Sequence, residues 1–241
     1  MIGRITDEVW YSIVEIEIDA LMKSMPQEAE LRPEWITAAE WTEAELLTNE
    51  RRRRQWLGGR LAAKRALQIA LGRHRQLPAG FRWQHLNIRS RDHSGRPTPP
   101  RCWYRQSPLP ALVSISHSEG WATAAASCFF SVGVDLVAKV EEQRLHCDAW
   151  RWAAAEAVFK SCRFDRGFEP GRWLLFNADS PLPVFALNGT ELNVQILRRP
   201  EYWLALCLRS PAAASKLANA SRRAATGRKR RANVTCLQYA I

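Results

Sequence analysis

The chain has 241 residues, 46% of them hydrophobic, and a formal net charge of +11; that length suits one large or two small domains, and the apolar content can fill a core without outside help. No run of about 18 uncharged apolar residues occurs, which excludes a membrane-spanning helix. Residues 1–17 carry acids where an export signal would be basic and then apolar, so a soluble, cytoplasmic protein with no membrane partner is expected.

In chain order, residues 8–18 (EVWYSIVEIEI) are β-branched and aromatic with approximate alternation, the pattern of a strand. Thr42 and Glu45 read as a T-x-x-E capping box ahead of 43–71, a proline-free stretch rich in Arg, Ala and Leu. Its apolar residues hold no single stripe, which predicts a break near Gly58-Gly59. Residues 72–110 read as loop-rich, with the turn signal Ser94-Gly95-Arg96-Pro97 and the pair Pro99-Pro100. Strands return at 111–116 and 121–128, read as sheet partners, and again at 129–137. Residues 143–163 read as a helix, and 191–197 with 202–208 as a closing hairpin. Strand, helices, strands, helix, strands is an α+β order.

Residues 210–241 hold seven Lys/Arg and no acid, so the rest of the chain carries only +4 of the net charge. This basic tail, rich in Ala and Ser, is expected to be disordered. The six cysteines (Cys102, Cys128, Cys147, Cys162, Cys207, Cys236) form no C-x-x-C pair and no Cys/His cluster at zinc spacing, and read as reduced, buried spectators.

Several residues stand out chemically. In the strand FFSVGVDLV, Ser131, Gly133, Asp135 and Val137 share one face, and Val132, Val134 and Leu136 the other. An Asp among valines is costly to bury unless it is paired or holds a cation, although an Asp capping a turn at a strand end would also explain it. Trp152, Glu156 and Lys160 fall at i, i+4 and i+8, on one helix face, where Glu156 and Lys160 could equally be a solvated ion pair. Arg60 and Lys64 sit in an arginine-rich helix with Arg51 to Arg54 and Arg65, suited to phosphate, to nucleic acid or simply to solvent. His117 lies between Ser116 and Ser118 at a strand end, where it is either structural or part of an anion site.

Taken together and in this order, these motifs resemble the surfactin-type branch of the 4'-phosphopantetheinyl transferase superfamily. The matching positions are Gly95-Arg96-Pro97, Ile115-Ser116-His117-Ser118, Val132-Gly133-Val134-Asp135 and Trp152 to Lys160, with an L-x-G-R-x-x-A-K character over Arg54 to Leu67. The resemblance implies an α+β fold of two similar, pseudo-twofold halves around a shared cleft, with residues 1–110 as the N-terminal half and 111–209 as the C-terminal half. It implies transfer of the phosphopantetheine arm of coenzyme A to a serine of an apo acyl or peptidyl carrier protein. Asp135 and Glu156 would hold Mg²⁺, with Glu156 accepting the serine proton directly or through a bound water and Lys160 meeting the phosphates. Arg54, Arg60, Lys64, Arg96, Ser116 and His117 would hold the nucleotide end, its 3'-phosphate included.

Two positions depart from the family pattern. Val137 stands where many relatives have a third acid, and Ala155 where the residue before the metal glutamate is basic. Two other readings therefore stay open: a catalytically degenerate relative that binds coenzyme A or a carrier, and a basic nucleic-acid-binding protein.

Overall fold

The computed structural model describes residues 3–8, 10–25, 34–92, 94–145, 148–163, 185–187 and 190–210. The basic tail beyond 210, Cys147 and Cys236 lie outside the described residues. Among those described, no helix is long and apolar enough to cross a membrane.

A hairpin opens the chain, β1 (Gly3–Asp7) and β2 (Ser12–Glu17), followed by α1 (Ile18–Ser24) and α2 (Ala38–Glu45). The capping box forms on Thr37 and Glu40 instead of Thr42 and Glu45. Glu40 has a tertiary reason to take that role, because its buried carboxylate also accepts the Ile88 amide and pairs with Lys64. Asn49 caps α3 (Glu50–Arg73), which runs unbroken through Gly58-Gly59 where the sequence predicts a break. A Cβ at Gly59 would lie 2.9 Å from the Ile115 side chain and one at Gly58 3.1 Å from Ala122. Close approach of the helix to the sheet thus offsets the roughly 1 kcal/mol helix penalty of each glycine.

The stretch read as loop-rich contains a small sheet, ordered β3 (Leu86–Arg91), β4 (Pro97–Tyr104) and β5 (Ser107–Pro108). The prolines of β4, loop markers in the sequence, are tolerated in a strand because they fall where the ladder slips: Arg89 pairs Arg101, but Arg91 already pairs Pro97. At such an irregularity a missing N–H costs little. β6 (Leu112–Ser118) and β7 (Trp121–Ser127) then pair antiparallel, as expected.

β8 (Ser131–Ala138) does not extend that sheet. It begins a second one, after which come a 3-10 turn over Lys139–Arg144, α4 (Ala149–Cys162), β9 (Phe185–Leu187) and the hairpin of β10 (Thr190–Arg198) and β11 (Tyr202–Arg209). The first sheet is ordered β1-β2-β7-β6 and the second β8-β11-β10-β9, all neighbours antiparallel.

Among the described residues, strand alternation sets apart three of the four core clusters. Val14, Ile16, Ala124 and Ala126 face α3 and meet Leu67 and Leu71. Tyr11, Ile13 and Ala125, on the opposite face, meet Val132, Val134 and Leu136 of β8. The other face of the second sheet, with Val137, Ala205 and Cys207, packs on Ala153, Ala154 and Ala157 of α4. The layers run helix, sheet, sheet, helix, with long helices segregated from antiparallel strands, which is an α+β architecture. Glu15, fully buried on β2, clasps the two sheets by accepting bonds from Arg199 and Tyr202.

Candidate active site

β8 and α4 bring the acid and base groups together. Ser131, Gly133, Asp135 and Val137 face α4, as the period of two requires, and Gly133 lets the helix backbone sit against the strand. On α4 the Trp152 indole N–H donates to Glu156 Oε2 at 3.1 Å. Lys160 Nζ lies 3.1 Å from Glu156 Oε1 and 2.7 Å from Asp135 Oδ1. The Glu156–Lys160 pair is therefore not a solvated helix pair, since its ammonium also bridges to an aspartate whose side chain is only 4% exposed.

The charges of this triad are interdependent. Burial pushes the Asp135 carboxyl well above the usual carboxylate range, Lys160 pulls it down, and Glu156 pushes it up again. For Lys160, desolvation disfavours the ammonium, but Asp135 and Glu156 outweigh it and the pKa is raised. Lys160 is thus charged at neutral pH and is a cation held between the two acids. Their hard oxygen donors suit Mg²⁺, which takes one or two carboxylates and completes its shell with water and substrate phosphate. Among the described residues no three His, Cys, Asp or Glu gather closely enough to cage a metal unaided.

Two cavities meet at Glu156. One, of about 270 Å³, is lined by Asp135, Glu156, Glu141, Ser118, Arg144 and Val137, among others. The second is an open cleft of about 410 Å³ whose walls include Arg52, Trp56, Arg60, Arg91, Glu156 and Lys160. Ser116 and His117 border both. Arg60 is 3% exposed, bonds Ser90 Oγ at 2.8 Å, lies over the Trp56 ring and has a buried Nε with no acceptor. Its guanidinium also lies 3.9 Å from the Glu43 carboxylate, so the cation on the cleft wall is only loosely paired. His117 is exposed at the rim; desolvation by the cleft walls, and next to it the Lys160 cation, hold its pKa below the ordinary imidazole value.

The remaining nucleotide-end candidates sit elsewhere. Lys64 is fully buried; its ammonium pairs with Glu40 at 2.6 Å and donates to the carbonyls of Trp35 and Trp83. It holds α3 to α2 and to the turn that leads into β3, and it does not line the cleft. Arg54 pairs with Asp19 at 2.7 Å, and Arg96 gives its amide to Asp92 in the turn; neither lines the cleft. Ser116 borders the cleft, but its hydroxyl donates to Asp135 Oδ1 at 2.6 Å.

Trp56, Arg91 and Glu141 carry no sequence signal that singles them out, and Arg52 is marked only as part of the Arg51 to Arg54 run. Arg52, Trp56 and Arg60 fall at i, i+4 and i+8, one stripe of α3 that faces the Glu156 and Lys160 stripe of α4 across the cleft. The spacing was legible; the surrounding arginines masked it. Of the two departures, Ala155 is fully buried in the α4 core and Val137 lies on the wall of the smaller cavity.

No family model matches the chain. Over 109 residues it is 31% identical to the holo-[acyl-carrier-protein] synthase of Staphylococcus carnosus (strain TM300), a match covering 45% of this chain and 86% of that one. The chain belongs to the 4'-phosphopantetheinyl transferase superfamily. The Staphylococcus relative is about half as long as this member of the superfamily. Of the described cysteines, Cys102 and Cys207 are buried, and burial pushes both thiols up to about 12, away from the thiolate form.

Proposed function

We propose that the chain moves the 4'-phosphopantetheine arm of coenzyme A onto a serine of an apo acyl or peptidyl carrier protein and releases 3',5'-ADP. The observation that carries this reading is the Lys160 ammonium bridging Asp135 and Glu156 where the basic cleft meets the acidic cavity. The family, and a relative named for acting on acyl carrier protein, support the same reaction class.

Asp135 and Glu156 would hold Mg²⁺, which supplies charge neutralisation at the phosphates when bound. Arg60 and His117, joined by Arg52 and Arg91, would hold the nucleotide end of coenzyme A, the 3'-phosphate in particular. Lys160 then stands at the phosphate to be transferred. The serine Oγ forms a bond to the phosphorus next to the pantetheine arm, and the bond from that phosphorus to the bridging oxygen of 3',5'-ADP breaks. Glu156 takes the serine proton as the oxygen attacks. Lys160 stabilises the negative charge that builds on the bridging oxygen, from a position already fixed by Asp135. Beside Lys160 an apolar recess of about 280 Å³, walled by Pro97, Pro100, Val113 and Phe159, has the character to receive the uncharged pantetheine arm.

On this reading the chain, about twice as long as its Staphylococcus relative, would hold both halves of the cleft itself. The test is incubation of the protein with coenzyme A, Mg²⁺ and a panel of apo carrier proteins, read by intact mass. One phosphopantetheine is expected per carrier with Mg²⁺ and none with chelator; transfer that persists in chelator overturns the metal assignment.

A further inference from the structure

The first and second sheets meet edge to face at β6 and β8, but no backbone ladder joins those strands. Three hydroxyls do. Ser114, Ser116 and Ser118, on one face of β6, accept the β8 amides of Val134, Leu136 and Ala138 at 3.0, 3.3 and 2.9 Å. All three serines are buried, at most 6% exposed. A β8 amide left without its hydroxyl would be an unpaired buried donor, so each serine contributes to stability in the same way.

A hydroxyl that accepts one bond still has a proton to give. Ser116 gives its proton to Asp135 Oδ1 at 2.6 Å, and Ser118 gives its own to Glu141. Ser114 has no carboxylate partner among the described residues. Asp135 and Glu141 both line the smaller cavity beside Glu156. Glu141 comes from the 3-10 turn after β8, and it brings a carboxylate to a wall where Val137 offers only methyl groups.

We propose that Ser116 and Ser118 are positioning residues that aim the Asp135 and Glu141 carboxylates into the cation cavity, Glu141 receiving the metal's hydrating waters that Val137 cannot hold. This rests on the magnesium reading of the site. Fixing one oxygen of a carboxylate leaves the other directed at the cation, and partners of this kind alter metal affinity by about 10- to 100-fold. Ser114 is the internal control, because it has the structural bond and lacks the second one.

The experiment is Mn²⁺ binding to the full chain by titration calorimetry, without coenzyme A or carrier, alongside thermal unfolding. Ser114→Ala, Ser116→Ala and Ser118→Ala are expected to lose similar stability. Ser116→Ala and Ser118→Ala should weaken Mn²⁺ binding about 10-fold or more, Ser114→Ala should leave it unchanged, and Ser116→Thr should restore it. Glu141→Gln should match Ser118→Ala. Equal weakening in all three alanine variants would mean the hydroxyls act only by spacing the sheets, and would overturn the proposal, as would unchanged binding in Ser116→Ala. Should Ser116→Ala not fold, Ser118→Ala and Glu141→Gln decide: shared weakening supports positioning and unchanged affinity overturns it. Wild-type protein that binds no Mn²⁺ overturns the magnesium reading itself, a result distinct from a failure confined to the variants.

Discussion

A Cβ on Gly133 would lie 1.9 Å from the carbonyl oxygen of Ala157 and 2.4 Å from the amide nitrogen of Ser161. Strand β8 and helix α4 therefore touch backbone to backbone, beside Asp135 on one and Glu156 on the other. That contact sets the height at which the Lys160 ammonium reaches both acids. Gly133→Ala is expected to force α4 outward at a cost of about 3 kcal/mol or more, the upper range for overpacking against atoms that cannot yield. Denaturant unfolding measures the loss, and a transfer assay under folding conditions should fall as well. Unchanged stability would mean that α4 is not seated as described.

Glu156→Gln separates a working enzyme from a binding relic. The substitution keeps the shape and a partner for the Trp152 indole, and it removes a negative charge that repels Asp135. Apo stability should stay within about 1 kcal/mol of wild type, as for a partly exposed pair. Transfer should drop about 10²- to 10⁴-fold, the usual weight of a general base. If the variant and wild type transfer equally to every carrier tried, yet both bind coenzyme A, catalysis is absent and binding is the function.

Arg60 and Lys64 sit one helical turn apart and should respond differently. Arg60→Ala and His117→Ala are expected to raise the KM for coenzyme A more than that for dephospho-coenzyme A, because the analogue lacks the 3'-phosphate. Lys64→Met should instead destabilise the fold by about 3–5 kcal/mol, the cost of stranding a buried partner, here Glu40. It should not discriminate between the two substrates. A selective KM effect at Lys64, or none at Arg60, would reverse these roles.

His117 gives the site a pH dependence of known sign. Its pKa lies below the ordinary 6.5, so the ring is neutral at pH 7, and the stability tied to the neutral ring is present above 6.5 and is lost as pH falls below it. A phosphate beside the ring favours the imidazolium. Coenzyme A binding near pH 6 should then take up a proton, measurable by calorimetry in buffers of different ionisation enthalpy. Dephospho-coenzyme A and the His117→Ala variant should take up less. Equal uptake in all three would place the 3'-phosphate away from His117.

Elements whose periodicity is uninterrupted are legible in the sequence. The alternation of Ser131, Gly133, Asp135 and Val137 and the i, i+4, i+8 spacing of Trp152, Glu156 and Lys160 each fix a face, because strand and helix geometry are local. Their order, with the serine-histidine strand end before them, was enough to indicate the family. The pairings between distant residues are not legible in the sequence, because they form only in the folded chain. Lys64 and Arg60 look alike in sequence, yet Lys64 meets Glu40 from another helix and is lost to the core, while Arg60 keeps a buried nitrogen without an acceptor at the cleft. The glycines of α3 read as a break until Ile115 and Ala122 are seen pressing against them. Ser114, Ser116 and Ser118 are equivalent by spacing, and they differ only in whether Asp135 or Glu141 comes within reach. A local pattern specifies which way a side chain points; the partner it meets depends on chain many residues away.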